Sequence, residues 1–188
     1  MPTTPTLWSD QDGVIAVYEL QAYRPSPTNP NPVFFQPNAH YYQNVKPDKK
    51  IIEAYRICNS LVPFYVLTNI THDTFLQEEH KTDKIKWTKQ HMNFLDLEEQ
   101  YYPIQIPKHE FAMQKLHRPL QKTDVLISDY NKDLIPWVNA GGTAVKYLNG
   151  INSKESYNGP HIPQEWSIDN IVDYIQTLLQ KGDVQNFR

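Results

Sequence analysis

Apolar residues follow two patterns along the chain: short continuous runs, and longer stripes at spacings of three and four residues. The short runs predict strands, because a strand buried on both faces has no polar side. The stripes predict amphipathic helices, whose apolar side chains share one face. The runs are TLWS (6–9), PFYVLT (63–68), YYPIQIP (101–107), TDVLISD (123–129) and TAVKYL (143–148).

Helices are predicted between these strands and after the last of them. Asp48 and Ser167 belong to the residue types that cap helix N-termini, and each precedes an apolar stripe. The pair Gly141–Gly142 follows another predicted helix, where a left-handed glycine commonly ends the last turn. The predicted helices are the stretch that begins after Asp48, about 71–96, about 109–117, NKDLIPWVNA (131–140) and the stretch that begins after Ser167.

Alternating strands and helices predict an α/β fold, a three-layer Rossmann-like parallel sheet with helices on both faces. A length of 188 residues and a mass of 22.1 kDa indicate a single domain over residues 1–188. In open parallel sheets, ligands bind beyond the carboxyl ends of the strands. The residues that directly follow each strand are therefore the first candidates for chemistry.

A proline-rich segment interrupts the alternation after the first strand. Eight of the fifteen prolines occur at or before Pro47. A disordered linker would not bury aromatic side chains, so the clustered rings of this segment favour a small ordered cap at about 18–47. The disordered linker remains the alternative. The clustered aromatic residues are Phe34, Phe35, Tyr41 and Tyr42.

Composition and charge exclude several classes of protein. The mean hydropathy of −0.63 and the lack of an apolar run of about 18 residues argue against a membrane span. A net charge of −3 and a pI near 6.1 argue against a surface that grips a nucleic-acid polymer. Cys58 is the one cysteine, which excludes an internal disulfide framework. Together with an N-terminus that lacks a cationic, apolar leader, it favours a cytoplasmic location.

Two acidic residues and a glycine follow the first strand. Asp10 and Asp12 can divide the roles of nucleophile or metal ligand and of proton donor. Gly13 permits a sharp turn at the strand end. A calcium-binding loop does not fit, because apolar residues occupy positions 14–16, where oxygen ligands would continue.

Polar residues also follow the second strand and the strand at 123–129. Thr68 and Asn69 can donate hydrogen bonds to an anion, although both residue types are also common in turns. Asp129 can bind a metal ion with Asp133 behind it. Helix N-capping by Asp129 or Asn131 explains the same pattern equally well.

The seven histidines show no zinc-binding pattern, so a zinc site is not expected. His40 lies in the predicted cap, where it could reach a substrate or simply be a polar surface residue. The stretch EEHKTDKIK (78–86) is typical of a solvated helix face, although Lys84 or Lys86 could point to the site.

In their order along the chain, these motifs resemble the haloacid dehalogenase (HAD) superfamily of aspartate-nucleophile phosphatases. WSDQDGV (8–14) resembles the first motif, VLTN (66–69) the second and LISDYNKD (126–133) the fourth. A closer resemblance is to the 5'(3')-deoxyribonucleotidase-like branch, which includes compact bacterial and phage members. It rests on DKIKW (83–87) and on the long string TDVLISDYNKDLIPWVNAGGTAVKYLNGIN (123–152).

The resemblance implies a Mg²⁺-dependent hydrolase of nucleoside monophosphates, with deoxynucleotides favoured, that works through an aspartyl-phosphate. It implies Asp10 as the nucleophile and Asp12 as the acid and base. It implies Mg²⁺ ligands from an Asp10 oxygen, the main-chain carbonyl of Asp12 and Asp129, with Asp133 behind them. The branch usually has a second aspartate at position 128, where this chain has Ser128. That difference puts the strength of metal binding in doubt.

Phosphate binding is implied for Thr68, Asn69 and one lysine. Lys115 is favoured, because its distance ahead of the strand at 123–129 is closer to the usual one. Lys108 is the rival, and Lys122 is too near that strand.

The short cap would supply substrate contacts, and at least one of its four aromatic rings is expected to stack on a base rather than only seal the cap. A small nucleotide is thus the expected partner, without a nucleic-acid polymer or a membrane, and a homodimer is compatible with the sequence. The alternatives are a phosphatase for another small phosphomonoester and a binding or regulatory homologue with weakened catalysis.

Overall fold

The structure is a computed structural model that describes residues 4–17, 19, 22, 24–28, 30, 32–152 and 157–182. The predicted cap begins at Tyr18, which lies outside the described residues, as do positions 20, 21, 23, 29 and 31. The rest of the cap is described, and it includes all four of its clustered aromatic residues.

Eight strands occur in the described part of the chain. Six of them form one parallel sheet, and two short ones pair antiparallel at the base of the cap. The strands are β1 (Thr6–Asp10), β2 (Ala16–Val17), β3 (Lys46–Pro47), β4 (Phe64–Asn69), β5 (Tyr101–Ile104), β6 (Asp124–Ser128), β7 (Thr143–Leu148) and β8 (His161–Pro163). The order in the large sheet is β5-β4-β1-β6-β7-β8, so β1 lies near its centre.

Six α-helices connect or follow these strands in the described residues. They are α1 (Lys49–Asn59), α2 (Gln77–His91), α3 (Leu97–Gln100), α4 (Lys108–Leu116), α5 (Asn131–Asn139) and α6 (Ile168–Lys181). The described part of the cap includes 3₁₀ turns at Val33–Phe35 and Tyr41–Asn44. The parallel sheet flanked by helices confirms the predicted α/β fold.

The predicted helix caps are present. Asp48 accepts hydrogen bonds from the first turn of α1, and Ser167 accepts one from the Asn170 amide in α6. Gly141, with φ +101°, follows the C-terminus of α5 in the left-handed conformation, as predicted. Both helices that the capping residues begin are amphipathic, and their apolar stripes face the sheet.

Several boundaries differ from the prediction, and the short strands β2, β3 and β8 were not predicted. The helix expected at about 71–96 is shorter, because the Asp73 carboxylate accepts the Phe75 amide and forms a turn ahead of α2. Asp96 then caps the separate helix α3. The edge strand β8 is only three residues long and includes a proline, so no apolar run revealed it.

Side chains of the central strands alternate between two apolar cores, one on each face of the sheet. In β1, Leu7 belongs to one core and Trp8 to the other. Helices α1 and α6 cover the first face, and α4 and α5 cover the second. Cys58 is buried in the first core, and burial raises its thiol pKa to about 12, as expected of a packing residue.

The register of β1 brings three strand ends together. Ser9 pairs with Val66 of β4 on one side and with Ile127 of β6 on the other. Asp10 and the residues that follow β4 and β6 therefore lie at the same edge of the sheet.

None of the described helices is long and apolar enough to cross a membrane.

Candidate active site

The loop after β1 turns tightly and lies directly against Asp129. The Gln11 carbonyl accepts the amides of residues 14, 15 and 16 at 3.3, 3.1 and 2.9 Å. Gly13 has φ +75°, and a Cβ at this position would lie 2.2 Å from Asp129 Oδ2. Only glycine fits this approach, so the motif at 10–13 and the carboxylate that follows β6 are held in close contact.

Lys108, the first residue of α4, binds the carboxylate of Asp10. Its Nζ lies 2.8 Å from Asp10 Oδ2 and 2.5 Å from Asp133 Oδ2, and the lysine is 3% exposed. Burial lowers the pKa of Lys108, but the two carboxylates outweigh it and raise the pKa above its usual value. The lysine is therefore cationic in the site, and it fixes one oxygen of Asp10 while Asp10 Oδ1 accepts the Gln11 amide at 2.8 Å.

Lys84, in the middle of α2, binds the other half of the motif. Its Nζ donates to Asp12 Oδ2 at 2.5 Å, to Thr68 Oγ1 at 2.9 Å and to the Asn69 carbonyl at 2.8 Å. It thus joins the loop after β1 to the end of β4. The second oxygen of Asp12, Oδ1, is buried and has no hydrogen-bond partner among the described residues.

Two asparagines hold Asp129. Asn149 Nδ2 and Asn152 Nδ2 donate to Asp129 Oδ2 at 2.7 and 2.6 Å, and Asn149 also donates to the Gly13 carbonyl at 2.7 Å. Neither asparagine was predicted as a site residue, although both lie in the string YLNGIN that supported the family resemblance. That string was the available signal for them.

Ser128 takes part in hydrogen bonding where a second aspartate is usual. Its Oγ lies 3.2 Å from Asp10 Oδ2 and 3.2 Å from Asp133 Oδ2, and it accepts the Tyr130 amide at 3.2 Å. Asp133 therefore lies behind Lys108 and Ser128, and no hydrogen bond joins it to Asp129. It thus positions Lys108, and not Asp129, the carboxylate that was expected to bind metal.

A cavity of about 230 Å³ opens at this edge of the sheet. Two larger grooves of about 490 and 630 Å³ have no aspartate or glutamate among their described lining residues, and a groove of about 340 Å³ beside the cap has only Glu19. The smaller cavity is therefore the candidate site. Its lining residues are Asp10, Asp12, Asn69, Lys108, Asp129, Tyr130 and Asp133.

The carboxylates of the cavity are crowded in a poorly solvated place. Burial is the main cause that raises the pKa values of Asp10 and Asp12, and their lysine partners lower them in part. Burial and the neighbouring charge of Asp10 raise the pKa of Asp129 to about 7. Lys84 and Lys108 form ion pairs with Asp12 and Asp10, whereas Asp129 is held by two asparagines and forms no ion pair with a described residue. This concentration of carboxylates therefore favours the binding of a further cation.

The structure corrects the choice of lysine. Lys115 lies two turns along α4 from Lys108, on the surface, where it contacts Glu99 at 3.4 Å and the Tyr102 ring. The preference for Lys115 was therefore wrong, and the rival Lys108 lies in the site. Lys84 also points to the site, whereas Lys86 is exposed.

The structure also corrects the stretch 78–86. His80, Asp83 and Lys84 are buried in it, so this side of α2 is not a solvated face. The cap covers it: Tyr42 and Phe34 pack on His80, and the Trp87 indole donates to the Val45 carbonyl at 2.7 Å.

None of the four cap rings that were expected near a substrate lines the site cavity. Phe34 packs edge-on against Phe35, Tyr41 and Tyr42 within the cap, and the contacts of Phe34 and Tyr42 with His80 join the cap to α2. Tyr42 contacts Lys84 of the site, whose Nζ lies 4.2 Å from its ring centre. Among the described residues that line the cavity, Tyr130 is the one aromatic, and it was not predicted as a site residue.

Comparisons with known proteins concern the fold. No protein-family model matches the chain, and no curated protein matches it. Among solved structures, a haloacid dehalogenase-like hydrolase from Streptococcus pneumoniae superposes with a TM-score of 0.64 at 14% identity, over 92% of this chain and 99% of that one.

The chain has a HAD-like fold. Two D,D-heptose 1,7-bisphosphate phosphatases also superpose. The one from Burkholderia thailandensis has a TM-score of 0.55 at 10% identity. The one from B. bronchiseptica, which is a separate species, has a TM-score of 0.57 at 12% identity. They cover 91% and 94% of this chain and 98% and 99% of their own lengths. The B. bronchiseptica structure is complexed with magnesium and phosphate. At such low identity the likeness extends to the fold, and the nucleotidase-like branch stays a prediction.

Proposed function

We propose that this protein is a Mg²⁺-dependent phosphatase that hydrolyses small phosphomonoesters through an aspartyl-phosphate on Asp10. The observation that supports the proposal is the pair of Asp10 and Asp129 in one cavity, with Lys108 on the first carboxylate and Lys84 on Asp12. Solved structures of the same fold include a phosphatase with magnesium and phosphate.

The residues present fit a magnesium ion. The donors around the cavity are oxygens, which Mg²⁺ prefers, and Gly13 leaves Asp129 room that any Cβ would fill. An oxygen of Asp10, the main-chain carbonyl of Asp12 and Asp129 would hold the ion. The Asp12 carboxylate itself binds Lys84, which agrees with a main-chain contribution. When bound, Mg²⁺ supplies positive charge that offsets repulsion between the carboxylates and a phosphate dianion.

Asp10 performs the attack in this proposal. Lys108 and the Gln11 amide each fix one of its oxygens, so the carboxylate is held in one orientation before substrate binds. The Asp10 oxygen forms a bond to phosphorus while the bond from phosphorus to the ester oxygen breaks. Lys108 also lines the cavity and stabilises negative charge on the transferring phosphoryl group, together with Thr68 and Asn69.

Asp12 moves the proton. Its Oδ1 has no hydrogen-bond partner among the described residues, so that oxygen can carry a proton for the leaving alcohol. Burial raises the pKa of Asp12, which favours the protonated state that the first step needs. Asp12 then takes a proton from the water that attacks the aspartyl-phosphate, which releases phosphate and restores Asp10.

Nucleoside monophosphates are the substrate class we favour. Tyr130 lines the cavity and is 43% exposed, so its ring can stack on a base, a contact of about 1–3 kcal/mol. Lys132 Nζ, 5.9 Å from the centre of that ring, adds positive charge at the rim of the cavity.

The test is phosphate release from matched deoxynucleoside monophosphates, sugar phosphates and p-nitrophenyl phosphate, with Mg²⁺ and with a chelator. We expect Mg²⁺-dependent turnover of all three classes, with the highest kcat/KM for the nucleotides. A preference for sugar phosphates would support the proposed phosphatase activity and would reject nucleoside monophosphates as the substrate class. Phosphate-analogue binding without any turnover would indicate the weakened binding homologue instead.

Magnesium is expected to stabilise the fold, because it relieves the crowding of Asp10, Asp12 and Asp129. At a hundred times its dissociation constant, a ligand that binds only the folded state adds about 2.7 kcal/mol. For a chain of this size, that corresponds to a rise in Tm of about 5–10 °C. Differential scanning calorimetry with and without Mg²⁺ measures it, and Asp129→Asn should remove most of the rise. An equal rise in the variant would contradict the ligand assignment.

Gly13→Ala is expected to impair the site more than the fold. The new Cβ would lie 2.2 Å from Asp129 Oδ2 and would displace that carboxylate. A misplacement of about 1 Å can cost about a hundredfold in rate, so kcat should fall by about that factor. Gly150→Ala is the matched control, since Gly150 has φ +77° but no atom within 4 Å of an added Cβ. Similar kcat values for the two variants would exclude the collision as the cause.

A further inference from the structure

A second group of metal-ligating side chains lies between the cap and α2. One donor atom from each of His40, Glu79 and Asp83 lies within 4.8 Å of the other two, and no other such group of three occurs in the described part of the chain. None of the three lines the site cavity. The group is therefore separate from the proposed phosphatase site.

The fold brings these residues together from two distant segments. Glu79 and Asp83 are four residues apart on α2 and so share one face of the helix. Glu79 accepts the Asn38 and His40 amides at 2.5 and 3.1 Å, which fixes the cap loop above that face. His40 Nδ1 then lies 3.1 Å from Asp83 Oδ1.

One carboxylate oxygen of Asp83 is buried and lacks a hydrogen bond to any described residue. That oxygen is Oδ2, and the Asp83 side chain is 1% exposed. Gln43 Nε2 and His40 approach only Oδ1. No described lysine or arginine forms an ion pair with Glu79 or Asp83, because the adjacent Lys84 binds Asp12 instead. A buried carboxylate oxygen without a partner costs free energy that a bound cation would recover.

We propose that His40, Glu79 and Asp83 bind a divalent cation of the zinc class. An imidazole nitrogen with two carboxylates selects Zn²⁺ over Mg²⁺, which prefers oxygen ligands alone. Two ligand atoms on one ion, at bonds of about 2.0–2.2 Å, lie about 3.0–3.5 Å apart, and the 3.1 Å between His40 Nδ1 and Asp83 Oδ1 lies in this range. Gln43 Nε2 contacts both atoms, so an ion bound between them would displace that amide. The His40 side chain is 51% exposed, which leaves a side open for ion entry and for water as a further ligand.

Such an ion would hold the cap in place against α2. It would join residues 38–43 to α2 one position before Lys84, the lysine that orders Asp12 and the end of β4. A zinc site was not expected from the sequence, because no short motif contains these ligands. The histidine precedes the two carboxylates by about forty residues.

The proposal is tested by Zn²⁺ titration of the full chain, stripped of metal and freed of any affinity tag, in competition with a chromophoric chelator. Excess Mg²⁺ is present to occupy oxygen-only sites. We expect one Zn²⁺ per chain and a Zn²⁺-dependent rise in Tm. His40→Gln should weaken binding about tenfold or more and remove the rise in Tm. Because His40 is half exposed, this variant should fold even if Asp83→Asn does not.

Glu78→Gln is the matched control, since Glu78 is an exposed carboxylate next to the proposed ligand Glu79 on the same helix. It should bind Zn²⁺ as the unmodified chain does. Absence of Zn²⁺ binding, or equal binding by the His40→Gln variant, would overturn the proposal and leave a His40–Asp83 hydrogen bond alone. Loss of binding in Asp129→Asn but not in His40→Gln would place the ion at the phosphatase site and also overturn it.

Discussion

Replacing Asp10 by asparagine is expected to lower kcat by about 10⁴-fold or more, equivalent to about 5.4 kcal/mol of transition-state stabilisation. The amide cannot form the bond to phosphorus, so the covalent step is lost. The fold should survive, because Lys108 keeps Asp133 as a partner and is not left as an unpaired buried charge. Single-turnover and steady-state phosphate release measure the effect, with circular dichroism as the check on folding.

The matched control for this variant is Asp169→Asn. Asp169 is an exposed carboxylate in the first turn of α6, far along the chain from the site, and the same change there should leave kcat within about twofold. Because host phosphatases can contaminate such assays, both variants are purified in parallel. Turnover of the Asp10→Asn variant at the level of the control would reject Asp10 as nucleophile.

The fold could be predicted because its signals are local. Each central strand is an apolar run whose side chains alternate between two cores, as Leu7 and Trp8 do in β1. Asp48 and Ser167 cap the helices that follow them, where capping residues were expected. The missed edge strand β8 depends on a pairing with β7 that three residues, one of them proline, do not reveal.

The carboxylate positions could also be predicted, because parallel strands end at one edge. Asp10 is the last residue of β1 and Asp129 follows β6, so the topology alone brings them near each other. Their chemical roles remain proposals. The asparagines at 149 and 152 act on Asp129 from beyond β7, at a distance in sequence that no spacing rule covers.

The cap and α2 could not be predicted from charge patterning. EEHKTDKIK (78–86) contains six charged residues, yet Asp83 and Lys84 are buried because the cap folds over one side of the helix. Which charged residues are buried depends on the tertiary position of an insertion about forty residues earlier. The same contacts explain why the cap rings pack against His80 and one another, and not into the site cavity.

The choice of lysine shows how a rule based on spacing failed. Lys108 begins α4, four residues after Ile104 ends β5 at the carboxyl edge of the sheet. Lys115 lies seven residues further, and a helix rises about 1.5 Å per residue, so it is about 10 Å farther from that edge. The rule that strand ends carry the chemistry favours Lys108. Lys115 was favoured by its number of residues ahead of β6, but that count selects a residue near the C-terminal end of α4, which lies away from the site.

Lys108→Met is accordingly expected to lower kcat by about 10²–10³-fold, the usual cost of removing one group that stabilises charge in a transition state. It should also destabilise the fold by about 3–5 kcal/mol, because Asp10 and Asp133 lose their buried partner. Rates are therefore measured below the Tm of the variant. Lys108→Arg should recover part of the stability, since the cation is restored, but less of kcat, since the guanidinium is larger.

Lys115→Met provides the matched comparison on the same helix. Its ion pair with Glu99 is at the surface, and such pairs contribute at most about 1 kcal/mol, so kcat should stay within about twofold and Tm should change little. The two substitutions are chemically identical and differ only in their place along α4. If Lys115→Met reduced kcat as far as Lys108→Met, the phosphoryl group would have to bind near the C-terminal end of α4, and the cavity lined by Asp10 and Asp129 would not be the active site.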